Sequence, residues 1–154
     1  MLVNSRGEIF LGCRLDMPDA WQMPQGGIEP GEGVTDAALR EMEEEVGTRQ
    51  ARILAETADW HRYDFPDYLA GRIYGGKYRG QQQKWVLALF TGQDDDIDLA
   101  AGGHREFAAW KWVPPKYLCE AVVPFKRHVY EAVLEEFSPV LEKLARGQGP
   151  HNRA

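Results

Sequence analysis

Gly26-Gly-Ile-Glu-Pro-Gly-Glu32, followed by Arg40-Glu41-Met-Glu43-Glu44-Glu45-Val-Gly47, decides how this chain is read. The spacing predicts a helix over residues 35–46 behind a glycine-rich loop. Thr35 suits the N-cap, Asp36 the positive end, and Gly47 the position after the last turn. Leu39, Met42 and Val46 recur at helical spacing and give an apolar face. Glu41, Glu44 and Glu45 fall at i, i+3 and i+4 and share the other face. Such like-charged neighbours cost about 0.2–0.5 kcal/mol each, and the helix dipole disfavours acids near the C-terminal end. Within the helix only Arg40 offsets that cost. A bound Mg²⁺ or Mn²⁺ would also offset it, because hard cations take several oxygen ligands.

The glycines fit the same purpose. Gly26, Gly27, Gly31 and Gly33 let the backbone approach a ligand closely. A carbonyl of this loop, that of Gly26 first, can complete a metal shell. Glu32 can bind metal through water or pair with Arg40. An isolated glutamate run usually marks a solvated helix face. Here seven residues stand at fixed offsets, which favours a divalent-cation site.

These residues resemble the Nudix box, Gly-x5-Glu-x7-Arg-Glu-U-x-Glu-Glu-x-Gly-U, where U is a bulky apolar residue. The fit runs from Gly26 to Thr48, with Thr48 in the last U position. The resemblance implies an α/β fold, a mixed sheet between helices, and Mg²⁺-dependent attack of water on a nucleoside diphosphate linked to another group. Outside the box, five segments are similar to the bacterial RNA pyrophosphohydrolase and diadenosine polyphosphate hydrolase subfamily. They are Trp21-Gln-Met-Pro-Gln-Gly-Gly27, Trp60-His-Arg-Tyr-Asp-Phe-Pro66, Gly80-Gln-Gln-Gln-Lys-Trp85, His104-Arg-Glu-Phe107 and Val123-Pro-Phe-Lys-Arg-His-Val-Tyr130. This similarity runs from about Gly12 to Leu144.

Carried over by position, the resemblance implies that Glu41, Glu44 and Glu45 hold metal with Gly26. It adds Glu106 as a distal carboxylate on the same ions, and Arg40 as the residue that holds loop and carboxylates. Either Glu41 or Glu106 takes the proton of the attacking water. Arg14, Gln83, Lys84, Phe125 and Lys126 are assigned to the polyphosphate or the first bases, and Tyr63 to substrate stacking. Members of the subfamily usually begin with an extra strand carrying Arg-Pro and a Val-Gly pair. This chain begins at Met1-Leu-Val, inside or after that strand, so a shortened first strand and a missing sheet edge are expected.

Composition agrees with a globular enzyme. The 154 residues form one expected domain, 44% hydrophobic, with a flexible tail over 146–154. Cys13 and Cys119 make no disulfide framework and suit the cytoplasm; Cys119 reads as core filler. No apolar run is long enough for a membrane span. The net charge of −6 argues against non-specific nucleic-acid binding, though not against a local basic groove. His61 and His104 lack metal-ligand spacing.

Strands are expected over residues 9–14, 21–23, 51–58, 72–74, 84–91 and 110–113, with a turn at 4–7 and a polar loop at 93–103. Trp110 and Trp112 alternate onto one face. A long helix is expected over 125–137, bent or interrupted at Pro139. The expected substrates are 5′-triphosphorylated RNA and dinucleoside polyphosphates. The rivals are a pyrophosphatase of single modified nucleoside triphosphates, which needs a closed base pocket rather than an open basic strip at Lys84, Phe125 and Lys126, and a non-catalytic nucleotide-binding module.

Overall fold

Ile9-Phe-Leu-Gly-Cys-Arg14 alternates its side chains between two faces, and two helices answer that alternation. In the computed structural model, which describes residues 1–150, Ile9 and Leu11 face one apolar cluster and Phe10 faces another. The strands are β1 (Leu2–Val3), β2 (Ile9–Arg14), β3 (Trp21–Gln22), β4 (Ala51–Glu56), β5 (His61–Asp64), β6 (Gly80–Gln83), β7 (Val86–Phe90) and β8 (Phe107–Val113). The helices are α1 (Val34–Val46), α2 (Asp67–Ala70), α3 (Leu118–Ala121) and α4 (Arg127–Ala145).

Six strands make a mixed sheet in the order β3-β2-β1-β7-β4, with β8 on the remaining edge of β2. Only β1 and β7 run parallel; the other pairs are antiparallel. β5 and β6 form a separate hairpin. β1 has two residues, yet it is not an edge. It lies between β2 and β7, with Val3 opposite both Ile9 and Leu89, so the expected missing edge is a short strand inside the sheet. The turn into β2 is closed by the Asn4 side chain, whose Oδ1 accepts from Arg6 N–H and Glu8 N–H at 3.0 Å each.

The near-continuous apolar run of β7 is explained by cover on both sides. Leu87 packs with Val129, Tyr130, Val133 and Phe137 of α4. Ala88 and Phe90 pack with Met42 and Val46 of α1. Phe10 anchors the second layer, stacked on Trp110 at 5.7 Å and edge-on to Trp112 at 5.9 Å. The two tryptophans therefore share a face, as their alternation requires.

Several boundaries differ from expectation. Gly33, without a side-chain cap, precedes α1, and Thr35 is already helical. Gly47 does adopt φ 86°, and its N–H donates to Glu43 O at 3.0 Å. Residues 72–74 form no strand: Tyr74, Gly75 and Gly76 all have positive φ, which folds the chain into a turn. The hairpin β5–β6 was not foreseen, because Gln81-Gln-Gln83 carries no apolar signal. α4 does not stop at Pro139. It runs through it to Ala145, with Pro139 on the exposed side and Leu141 and Leu144 buried beyond it. An interior proline costs about 3 kcal/mol; burying two leucines contributes a similar amount. Arg146, Gly147 and Gln148 then cap α4 with their N–H groups, while residues 151–154 of the expected tail lie outside the described residues. Cys13 and Cys119 are both free and half-buried. Among the described residues no helix is long and apolar enough to cross a membrane.

α4 also reaches the glycine loop. The Met23 N–H donates to the Tyr130 hydroxyl oxygen at 2.9 Å, and both residues are buried. Tyr130→Phe leaves that N–H without a partner, so the fold should lose about 1–3 kcal/mol in urea unfolding. An unchanged midpoint would show that the bond contributes nothing.

Candidate active site

The segment Met23–Gly26 passes between the two helices and is held from both sides. After the Tyr130 contact at Met23, the Gln25 N–H donates to Glu45 Oε2 at 3.1 Å. At Gly26 the backbone lies so close to α1 that a Cβ would overlap the Glu41 carboxyl group. An alanine there would push the Glu41 carboxyl group aside. The glycine is required for close approach rather than for an unusual φ.

Arg40 ties the far end of the loop to the helix. Its guanidinium donates through Nε and Nη2 to both oxygens of Glu32 at 2.9 Å, and through Nη2 to Gly27 O at 2.8 Å. Its Nη1 reaches Glu41 at 3.0 Å and Glu44 at 3.3 Å. This pairing holds the Glu32 carboxyl down to about 2. Of the two expected roles for Glu32, pairing with Arg40 is the one seen.

Glu45 is the unusual carboxylate. The sequence sets it on the face opposite the apolar one, yet it is 7% exposed, and no cation pairs with it among the described residues. Burial pushes its carboxyl up to about 8, helped by the charges of Glu41, Glu106 and Glu44. Glu41 is raised as well, again by burial first. Glu106 comes just before β8, half-exposed, with His104 Nε2 at 3.5 Å. Its backbone oxygen accepts from Leu15 N–H at 3.0 Å, which fixes it beside β2.

Among the described residues no three His, Cys, Asp or Glu side chains converge into a finished metal shell. Glu41 and Glu44 turn toward Arg40 instead. The donor set still fits a hard divalent cation. A buried carboxyl with no countercharge, a second one against a glycine backbone, and two more acids within electrostatic reach are all oxygen donors short of positive charge.

Glu41, Glu45, Glu106 and Gly26 line a cleft of about 650 Å³. Its other end is polar and rich in glutamine. Gln83 Nε2 donates to Gln25 Oε1 at 3.1 Å, and the Tyr63 hydroxyl donates to Gln81 at 2.6 Å. Arg14 forms a two-bond pair with Asp16 at 2.7 Å and reaches Gln22 at 3.4 Å.

Three expected substrate residues sit differently from their expectation. Tyr63 is 3% exposed, its ring between Phe65 and Phe125, so it offers no free face for stacking. Lys126 is buried, with Nζ at 3.3 Å from Gln22 Oε1 and 5.7 Å from the Tyr63 ring. Burial pushes it down to about 8, and the Arg14 charge adds to that. Lys84 is mostly covered and donates to Ala58 O at 2.9 Å. Phe125 is half-buried against the α4 cluster. An open basic strip is therefore absent at these residues: Lys126 lies against the glutamines, and Lys84 against Ala58 and Glu56. Gln22, Gln25, Gln81, Trp60 and Tyr74 also face the cleft or its glutamine cluster, and the sequence reading gave none of them a role. The glutamine repeat before β7 was the available signal.

Glu45 has a consequence for the protein without divalent cations. A carboxyl raised from 4.5 to about 8 holds its proton more tightly folded than unfolded. Stability then falls as pH rises through that window, by at most about 1.4 kcal/mol per pH unit. Glu45→Gln should flatten this decline in chelator-treated protein, read as melting temperature against pH. An equally steep decline in the variant would remove Glu45 as its source.

Comparison with known proteins agrees with this geometry. The NUDIX domain matches residues 1–133. A protein of Rhodospirillum rubrum named RNA pyrophosphohydrolase is 56% identical over 138 residues, covering 90% of this chain and 83% of its own length. One of the same name from Novosphingobium aromaticivorans is 51% identical, covering 92% of this chain and 90% of its own length. Among solved structures, the E. coli dihydroneopterin triphosphate pyrophosphohydrolase superposes with TM-score 0.66 at 21% identity, over 88% of this chain and 93% of that one. A C. elegans Ap4A hydrolase gives 0.63 at 21% identity, over 92% and 94%. At that identity these two speak to the fold alone. Fold, loop and carboxylate helix together place the chain in the Nudix hydrolase family.

Proposed function

We propose that this Nudix hydrolase removes phosphate or pyrophosphate from 5′-triphosphorylated RNA, and also cleaves dinucleoside polyphosphates, with Mg²⁺ or Mn²⁺ as cofactor. The observation that carries the reading is one cleft with an acidic wall, with Arg14 in its lining and the buried Lys126 beside it. Glu41, Glu45 and Glu106 line it, and Lys126 lies close enough to feel the charges of both Arg14 and Glu45. A polyphosphate needs both: metal-binding acids for its reacting phosphorus, and cations for the phosphate oxygens alongside. Relatives named RNA pyrophosphohydrolase support the RNA substrate.

Glu41, Glu44, Glu45 and Glu106, with the Gly26 carbonyl, would hold the ions. When bound, these neutralise phosphate charge and make a bound water a better nucleophile. Glu41 or Glu106 accepts the proton of the attacking water. A new P–O bond forms to the water oxygen, and the phosphoanhydride P–O bond breaks on its far side. Arg40 positions loop and carboxylates without touching substrate. Arg14 and Lys126 balance charge on the phosphates that are not attacked, and Gln83 orients them. Lys84 and Phe125 lie further along, toward the first bases. The buried place of Tyr63 leaves it a supporting role, holding Gln81 through its hydroxyl. The site assumes the reducing cytoplasm in which such substrates occur.

Incubation with Mg²⁺ and, in parallel, triphosphorylated RNA, diadenosine tetraphosphate and single nucleoside triphosphates tests the substrate. RNA and the dinucleotide should be consumed; consumption of nucleoside triphosphates alone would sink the proposal. Glu44→Gln and Gly26→Ala should each reduce turnover by at least about 10²-fold with the fold intact by circular dichroism. Full activity in either would remove the metal assignment.

A further inference from the structure

The cleft accounts for one end of the hairpin β5–β6, but not for the arm beyond it. Between these strands the chain leaves the hairpin through α2 and the turn at Tyr74–Gly76. This arm exposes Tyr68 at 69%, Tyr74 at 59% and Tyr78 at 51%. Trp60, just before β5, is 53% exposed. Such large rings usually find cover, and here four stay uncovered around one hairpin.

Charge separates this surface from the rest. Across residues 64–79, Arg72, Lys77 and Arg79 stand against Asp64 and Asp67, with Arg79 Nη2 3.5 Å from Asp64, in a chain of net charge −6. All three cations are exposed. They alternate with the rings: Lys77 Nζ lies 5.5 Å from the Tyr78 ring centroid, and Tyr78 meets Tyr74 edge-on at 5.8 Å. The surface is continuous with the cleft. Tyr74 and Trp60 both line it, and the Tyr74 hydroxyl oxygen accepts from Gln81 Nε2 at 3.2 Å. Tyr74 is held at φ 51°, a conformation that side-chain-bearing residues rarely adopt, beside two glycines of positive φ. Backbone of that kind is kept where a side chain must be aimed.

We propose that this arm is a stacking surface for the first nucleotides of single-stranded RNA beyond the 5′ end held in the cleft. Aromatic rings accept any base, and the interleaved cations follow the phosphates. An acidic protein repels RNA at long range, so a local basic aromatic arm at the cleft mouth is where the strand can be kept. The inference rests on the RNA reading above and adds where the rest of the strand lies.

The test is steady-state hydrolysis of triphosphorylated RNA of rising length, from a dinucleotide to about eight nucleotides. KM should fall about tenfold or more with length and then level off, with kcat unchanged. Tyr78→Ala and Lys77→Ala should flatten that fall while leaving the dinucleotide rate as it was, and Tyr78→Phe should restore it. Lys77→Ala should also lower the log–log salt slope of binding by about 0.7. A KM independent of length in the parent protein overturns the arm assignment alone. So does a Tyr78→Ala variant that keeps the full length effect, or one that slows the dinucleotide equally, which marks a structural role. Failure to hydrolyse RNA of any length overturns the substrate reading, and the arm assignment with it.

Discussion

The Gln25 N–H that donates to the buried Glu45 carboxylate is the contact on which the rest of the site depends. Among the described residues it is the one backbone donor to this acid, which has lost most of its water. It also stitches the loop to α1 at the point where Gly26 must press against Glu41. Two residues earlier, Met23 is tied to Tyr130 of α4. The strap between the helices is thus fixed from the structural side by a core tyrosine and from the catalytic side by a glutamate. The buried side chains of α4 and of α1 belong to separate apolar clusters, and this strap and the sheet join them.

Arg40 does a different task. It gathers Glu32, Glu41, Glu44 and the Gly27 carbonyl around one guanidinium. A lysine could not, because its ammonium is a point charge without the planar fork. The loop is therefore closed by electrostatics in its solvent-facing half and by burial in its inner half. Of the acids around Arg40, Glu44 is the most exposed at 53%, while the Glu32 and Glu41 side chains are largely covered. Glu45 is buried outright.

Much of this was legible in the sequence, for identifiable reasons. The helix α1, its closing glycine and its glutamates follow from spacing, and β2 and β7 from apolar pattern. What spacing could not reveal was depth. Glu45 and Glu44 are neighbours in the chain, but one points under the loop and the other into solvent. Tyr63 and Lys126 were assigned to the substrate from the resemblance, which carries no depth. Phe65 and Phe125 pack on Tyr63, and Lys126 lies against Gln22 and the rings of Tyr63 and Phe125, tertiary facts. The glutamine hairpin stayed hidden because its strands hold by backbone pairing and amide contacts instead of apolar alternation. Pro139 misled in the opposite sense: local propensity marks a break, and the burial of Leu141 and Leu144 overrides it.

The burial of Lys126 also bears on how the cleft treats charge. An exposed lysine would bind phosphate weakly, since water screens it. Beneath the glutamines, its ammonium keeps only amide oxygens and two aromatic rings as partners. That environment lowers its pKa toward neutrality. Under the proposed function a phosphate would supply what burial removes, lysine and anion each favouring the other's charged form. The same logic holds across the cleft, where Glu45 lacks a cation as Lys126 lacks an anion. Under the proposed function, a metal-bound polyphosphate would supply both missing partners.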